Sequence, residues 1–471
     1  MRESLLRTAA CLLLLSGLVL DLSFGQTADP GASAQTKQIL QYLKNLSKGP
    51  DRRLISGHQL NTQYSPTASF DSAVTKIYHK AGQWVGLIGI DYQRSPKGLL
   101  KSMSQTNAPL IAYFRSGGLV AVMSSFTNPW TDSTMNDTTG RHKLAELVVP
   151  GTPGNLKWMQ RLDSVAAGFR QLQDSGVTVL FRPLHEMNGP WFWWGSQGAT
   201  LPLKQDYVAL WRHMFSYFTV TKNLHNLLWA FSPSARPSSV TNPAYKADTT
   251  FYPGNEFVDI VGVDVYEDTL DIPLYDALRS TNKPFVLCEF GPGIFNSAAP
   301  GRYDYRILLR QIKTKYPEII YWMSWNDFGS SLGSKYFGMT THSFVREVLT
   351  DPWVINRDRL QWRSATEVHD ESESIPRSVA LHQNYPNPFN PTTAVSYQLP
   401  VTSFVNLKIF DVLGREIATL ADGIQGPGIR TISWDASSRP AGIYFCRLLV
   451  RNANGQARSS VLQTNKMILA K

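Results

Sequence analysis

Eight short apolar runs, separated by longer stretches, recur between residues 36 and 355, and this alternation restricts the chain more than any other feature. The runs are Leu54–Gln59, Val85–Tyr92, Leu119–Ser124, Val177–His185, Leu227–Ser232, Asp259–Tyr266, Pro284–Phe290 and Ile319–Trp325. Amphipathic helical segments lie between several of them, at Leu156–Gln173, Lys204–Thr221 and Tyr303–Tyr316. A parallel strand covered on both faces reads as an unbroken apolar run, and successive parallel strands need crossover helices. Eight such units over roughly 300 residues predict a (β/α)8 TIM barrel. A doubly wound open sheet is the second solution, but no glycine-rich phosphate loop follows the first run.

The pattern changes after Asp351-Pro352. Residues 356–378 are polar and charged and read as a linker. Residues 379–471 then carry short alternating strands with Gly, Pro and Asn turns, in which Val405, Leu407 and Ile409 share one face. This predicts a small all-β, immunoglobulin-like sandwich with Cys446, Tyr444 and Leu448 on its core side. At the other end, Arg2 and Arg7 precede the apolar run Ala9–Leu20, and Ser23-Phe24-Gly25 offers small residues for a signal peptidase. Residues 1–25 therefore read as a secretory leader cleaved near Gly25. Cys11 lies inside the run, which argues against a lipid anchor. Only Cys288 and Cys446 remain, in different expected domains, so an exported protein without a disulfide is expected. The net charge of +10 comes from scattered Lys and Arg without a block of like charge, which argues against a nucleic-acid partner.

Polar residues collect at the ends of the apolar runs, where barrels of this kind carry their active sites. His58 and Gln59 end the first, Asp91 and Tyr92 the second, Asp264 and Tyr266 the sixth, and Trp325 and Asn326 the eighth. The fourth is the most informative, VTVLFRPLHEMNGPWFWWG at Val177–Gly195. Arg182, His185, Glu186 and Asn188 follow a buried run and are themselves followed by Trp191, Trp193 and Trp194. Taken singly, each has an ordinary explanation: an ion-paired glutamate, a structural histidine, tryptophans in the core. Together they read better as a sugar site, because buried charge is costly unless paired and indole faces stack on pyranose rings. Asp91 and Asp264 have even odds of serving structure instead.

Glu289, in KPFVLCEFG, ends the seventh run at the same expected barrel face as Glu186. Glycoside hydrolysis needs two carboxyl groups, which in a retaining enzyme lie about 5–5.5 Å apart. Glu186, near the indoles, suits the proton donor, since desolvation raises a carboxyl pKa. Glu289 then suits the nucleophile, kept ionised by hydrogen bonds from Arg182 and Tyr266. No closely spaced His/Asp set reads as a catalytic metal site, and no cofactor is expected.

FRPLHEMNGPWFWWG at Phe181–Gly195 closely resembles the acid/base motif of glycoside hydrolase family 26, best known for endo-β-1,4-mannanases. ISGHQ, GIDY, VDVY, VLCEFG and WMSWND follow in the family's order over residues 36–355. The resemblance implies a retaining barrel enzyme with Glu186 as acid/base and Glu289 as nucleophile. It also implies His185, Trp191, Tyr266 and Trp325 around the sugar next to the cleavage point, with Arg182, Asn326 and His58 as further substrate-binding candidates. Two positions depart from the mannanase pattern: Ser125 stands where a His is common, and Asn326 where an Arg is common. A mixed-linkage β-glucanase or β-1,3-xylanase of the same family is therefore the alternative, and a non-catalytic carbohydrate-binding barrel the alternative of another class. The stretch from Val379 resembles a type IX secretion sorting domain through NYPNPFNPTT, GREIATL and AGIYFCRL, which implies export across the outer membrane to the cell surface or beyond. An accessory polysaccharide-binding domain is the other reading of this part. The expected partners are a β-linked polysaccharide and the secretion machinery, and the expected state is a monomer.

Overall fold

The computed structural model describes residues 26–49, 53–60, 69–92, 103–196, 204–235, 249–273, 275–293, 300–330, 333–363, 379–399, 403–425, 428–452 and 461–470. The expected leader and most of the expected linker lie outside the described residues. The chain divides into two compact units, residues 1–362 and 363–471.

Eight parallel strands form the first unit: β1 Leu54–Gln59, β2 Leu87–Tyr92, β3 Leu119–Ser124, β4 Val179–Pro183, β5 Leu227–Phe231, β6 Ile260–Val265, β7 Phe285–Phe290 and β8 Ile319–Ser324. Each pairs with the next, and β8 returns to β1 with Ile55 opposite Tyr321, which closes the barrel. The open doubly wound sheet is thereby excluded. Nearly every strand residue is buried, which is why these segments read as continuous apolar runs and show no alternation. The β6–β7 pairing is irregular near its carboxyl end. Its register shifts between Val263 and Asp264, and this sets Asp264 directly opposite Glu289.

The crossover helices bury one stripe each. In Pro153–Asp174, Trp158, Leu162, Val165, Phe169 and Leu172 recur every three or four residues and lie against the barrel. Thr152 caps this helix by accepting from the Asn155 N–H, and Pro153 occupies the first turn, where it forfeits no hydrogen bond. The unit extends beyond the eight units at both ends. Ahead of the helix Ala34–Lys48, the Ala28 N–H donates to the buried Asp259 carboxylate at 2.7 Å. After β8, Val354–Ile355 pairs alongside β1, and the Trp362 ring lies 4.8 Å from Phe114 with its indole N–H on the Gly117 carbonyl.

The strands of the second unit pair antiparallel. One sheet orders Ala380–Leu381, Thr392–Leu399 and Gly428–Asp435, and the other orders Glu416–Gln425, Ser403–Asp411, Gly442–Asn452 and Val461–Leu469. Val405, Leu407 and Ile409 alternate with Asn406 and Lys408, and only the apolar set is fully buried. Their core neighbours include Val395, Tyr397, Trp434, Tyr444, Cys446 and Leu448, as expected for a sandwich. Cys288 and Cys446 are both free, buried thiols in separate units.

Candidate active site

The chain leaves β4 through a turn that ordinary residues seldom adopt. Leu184 and Glu186 both have left-handed backbone, with φ of 46° and 52°. Side chains with a Cβ are disfavoured there, and such strain persists only where surrounding contacts enforce it. The enforcing contacts are visible. The Glu186 N–H donates to the Ser232 carbonyl at 2.8 Å, just past the end of β5. Asn188 bonds Ser234 twice, through its amide nitrogen to the carbonyl and its oxygen from the N–H. The Tyr207 hydroxyl and the Trp194 indole hold the carbonyls of Leu184 and His185. Glu186 is thus aimed by its backbone.

A hydrogen-bonded cluster faces it. Arg182, near the end of β4, donates through Nη1 to Asp264 Oδ2 at 2.7 Å and through Nη2 to Glu289 Oε1. The Tyr266 hydroxyl donates to the other oxygen of Glu289. Ser232 donates to Asp264 Oδ1 at 2.5 Å. On the far side the Trp191 indole N–H donates to Glu186 Oε2 at 2.6 Å. One oxygen from each of Glu186, Asp264 and Glu289 lies within 4.8 Å of the others. A divalent cation would accept that spacing, but the Arg182 guanidinium already supplies a fixed positive charge bonded to two of the three.

The two glutamates are held unlike each other. Burial first, and then the charge of Glu289, push the Glu186 carboxyl up to about 8, while Arg182 and the Trp191 indole pull it down. Burial works against charge on Arg182 as well, yet Asp264 and Glu289 hold its guanidinium protonated well above the ordinary arginine value. Burial, followed by the charge of Glu289, pushes the Tyr266 phenol well above its usual value, so it remains a hydrogen-bond donor. At neutral pH the pair therefore comprises one protonated carboxyl and one carboxyl that receives two strong donors. That is the division of labour a double displacement requires.

The nine residues singled out from the sequence fall into three groups. Arg182, Glu186, Trp191, Tyr266 and Glu289 form this hydrogen-bonded network. Trp325 is buried beside it with Met123 and Phe337, and Tyr266 packs against the three. His185, His58 and Asn326 are buried at or just past strand ends. The His185 ring lies against Phe192 and Trp194, at 4.9 and 5.9 Å. His58 donates from Nδ1 to the Gln59 carbonyl, and burial lowers its pKa to about 4, so it is neutral. Asn326 gives its amide N–H to the Leu60 carbonyl at 2.9 Å.

One expectation needs correction, and one open alternative is narrowed. Trp193 and Trp194 offer no face to a sugar: both are fully buried. The Trp193 N–H bonds the Phe126 carbonyl, and its ring meets Trp130 and Trp158 edge to face. They are the scaffold under Trp191, which alone of the three stays partly exposed. Asp91 belongs to the structural side of its even odds, since it accepts from both the N–H and the hydroxyl of Ser125. Sequence reasoning also passed over Ser232 and Gly189. A Cβ on Gly189 would sit 2.1 Å from the Trp191 ring, so the indole can reach Glu186 only across a glycine. A Gly-Pro pair by itself signals only the end of a strand, and nothing local announces this second duty.

A closed barrel with this carboxylate arrangement at the carboxyl ends of its strands is that of a glycoside hydrolase. Residues 28–359 match the model of glycosyl hydrolase family 26, and residues 383–461 match that of the secretion system C-terminal sorting domain. Mannan endo-1,4-beta-mannosidase A and B of Caldalkalibacillus mannanilyticus is 32% identical over 345 residues, 71% of this chain and 63% of that protein. A mannan endo-1,4-beta-mannosidase of Bacillus subtilis is 34% identical over 311 residues, 64% of this chain and 82% of its own length. The solved Bacillus subtilis mannanase superposes with a TM-score of 0.60 at 29% identity, over 70% of this chain and 95% of that one. The chain belongs to glycosyl hydrolase family 26, and a type IX sorting domain follows the catalytic barrel. That domain directs export to the cell surface or beyond. Among the described residues no helix is long and apolar enough to cross a membrane.

Proposed function

We propose that the protein is a secreted endo-β-1,4-mannanase that cleaves internal bonds of mannan, glucomannan or galactomannan with retention. The observation that carries this reading is the asymmetric pair, Glu186 pushed up to about 8 and Glu289 bonded to Arg182 and Tyr266. In the first step a Glu289 oxygen attacks the anomeric carbon as the glycosidic C–O bond breaks, and the Glu186 proton passes to the leaving oxygen. In the second, Glu186 takes a proton from water, and the resulting oxygen displaces Glu289 from the same carbon. Trp191, Tyr266, Trp325 and His185 line the sugar next to the cleavage point. Arg182 acts on the sugar through Glu289, while His58 and Asn326 shape the wall. The names of the relatives support mannan as the substrate.

A second reading, a mixed-linkage β-glucanase or β-1,3-xylanase, is favoured by Ser125 and Asn326, whose polar groups are engaged with Asp91 and Leu60. Reducing-sugar release from β-mannan, mixed-linkage β-glucan and β-1,3-xylan separates the two, with Glu289→Ala as the blank. Release from mannan alone is expected; release from glucan or xylan alone overturns the substrate, and binding without release overturns the reaction. The same reading takes 1–25 as a leader, 36–355 as the catalytic domain, 356–378 as a linker whose first residues, to Trp362, pack on the barrel, and 379–471 as the export domain. It takes the mature enzyme as a monomer, which light scattering on the purified protein tests.

A further inference from the structure

Among the described residues, one buried guanidinium has only carbonyl oxygens as partners, those on either side of Trp191. Arg141 opens the short helical segment Arg141–Val148 in the long connection after β3 and is 4% exposed. Its Nη2 donates to the Pro190 carbonyl at 2.6 Å and to the Phe192 carbonyl at 2.9 Å. Those two carbonyls flank Trp191. Burial lowers the Arg141 pKa, and its Nε has no partner. A buried charge is costly unless it is well paired, and neutral acceptors compensate it poorly. Stability alone therefore explains its presence badly.

The contacts around Trp191 suggest a different account. The ring lies over Gly189, and the Asn136 amide reaches the Trp191 carbonyl at 3.3 Å. The indole N–H meets Glu186 Oε2 at 2.6 Å. Without Arg141 the bonds to the Pro190 and Phe192 carbonyls, one on each side of Trp191, are lost, while the Trp193 N–H on the Met135 carbonyl and the Gly195 N–H on the Phe192 carbonyl remain.

We propose that Arg141 is a positioning residue for the proton donor, fixing the backbone around Trp191 so that the indole N–H stays on Glu186. This rests on the reading of Glu186 as the acid. The groups facing Glu186 are Arg182 from β4, Asp264 from β6, Tyr266 after it, and Glu289 from β7. None of them touches Arg141, so a change at Arg141 reaches the carboxyl through Trp191. Losing the indole bond removes a donor that favours the ionised form, which moves the proton-release step to higher pH.

The test uses the full mature chain and two substrates, an unactivated mannan oligosaccharide and an aryl β-mannooligoside whose phenol leaves without acid help. For Arg141→Met, kcat/KM on the oligosaccharide falls about tenfold and on the aryl substrate less than about twofold, since general acid assistance is what is weakened. The alkaline limb of the oligosaccharide profile moves up. Arg141→Lys, which keeps a donor, recovers part of both effects. Trp191→Phe reproduces the limb shift, and adding Arg141→Met to it moves the limb no further. Equal losses on both substrates with an unmoved limb overturn the proposal, as does a further shift in the Trp191→Phe background. Should Arg141→Met fail to fold by circular dichroism, the Arg141→Lys profile decides on the same criteria. Glu186→Gln serves as the separate control. If its kcat/KM on the aryl substrate falls as far as on the oligosaccharide, the assignment of the acid fails, whatever Arg141 does.

Discussion

Glu289 lies inside a strand and Glu186 just beyond one, and the two are fixed by different physics. Glu289 takes its place from the regular β7 backbone, its neighbours across the barrel, and two donors aimed at its oxygens. Glu186 takes its place from a left-handed turn braced by the end of β5 and from an indole reached across a glycine. The proposed nucleophile is defined by side chains on rigid elements, the proposed acid by a strained backbone and desolvation. Mutations should therefore act on the first through charge and on the second through geometry.

The largest effect breaks the pair outright. Glu289→Gln should reduce turnover by four orders of magnitude or so, as expected for loss of a covalent nucleophile. It should also remove the like charge that helps hold Glu186 up, so a carbon-NMR titration of Glu186 falls from about 8 toward the ordinary carboxyl range. An unmoved titration would mean burial alone sets that value. Arg182→Met comes next. It leaves Asp264 and Glu289 buried without their counter-charge, a change that costs roughly 3–5 kcal/mol where one partner of a buried pair is removed. Chemical denaturation should show it, along with loss of activity.

Glu186→Gln should cost about 10²–10⁴ in kcat/KM on unactivated glycans and far less on activated aryl substrates. Its effect on stability runs the other way. A folded-state carboxyl raised from 4.5 to about 8 favours folding below the lower value and loses that advantage as pH rises through the upper one. The neutral Gln escapes this loss of about 1.4 kcal/mol per pH unit. The variant should thus gain stability over the wild type from pH 5 to pH 8, measured by urea unfolding. Smallest of all is Gly189→Ala, expected to shift the alkaline limb upward and lower kcat/KM about threefold to tenfold by pushing the indole off Glu186. A Glu186 held only by its backbone would leave that profile unchanged.

The barrel was legible because strands buried on both faces leave continuous apolar runs. The ends of those runs were harder. Val177–His185 reads as one strand, but regular pairing stops at Pro183 because Leu184 turns left-handed, which no residue type there announces. The pairing of Glu186 with Glu289 followed from their shared place at strand ends. The assignment of Arg182 and Tyr266 to Glu289 followed from their donor chemistry at neighbouring strand ends. Trp193 and Trp194 were misread because a tryptophan's direction is decided by long-range contacts, here with Phe126, Trp130 and Trp158. Arg141 escaped notice for the same reason: its partners are some 50 residues away, and a single arginine in a polar connection carries no pattern.

The burial of most indoles has an optical consequence. Trp158, Trp193, Trp194, Trp211, Trp229 and Trp322 are sealed from solvent and contribute a blue emission that solutes reach poorly. Trp191 is partly open, and its N–H is tied to a carboxyl that ionises near 8. Its excited state should respond both to the charge on that carboxyl and to a pyranose lying on its face. Emission subtracted between the wild type and Trp191→Phe would then follow the Glu186 proton directly, without any turnover.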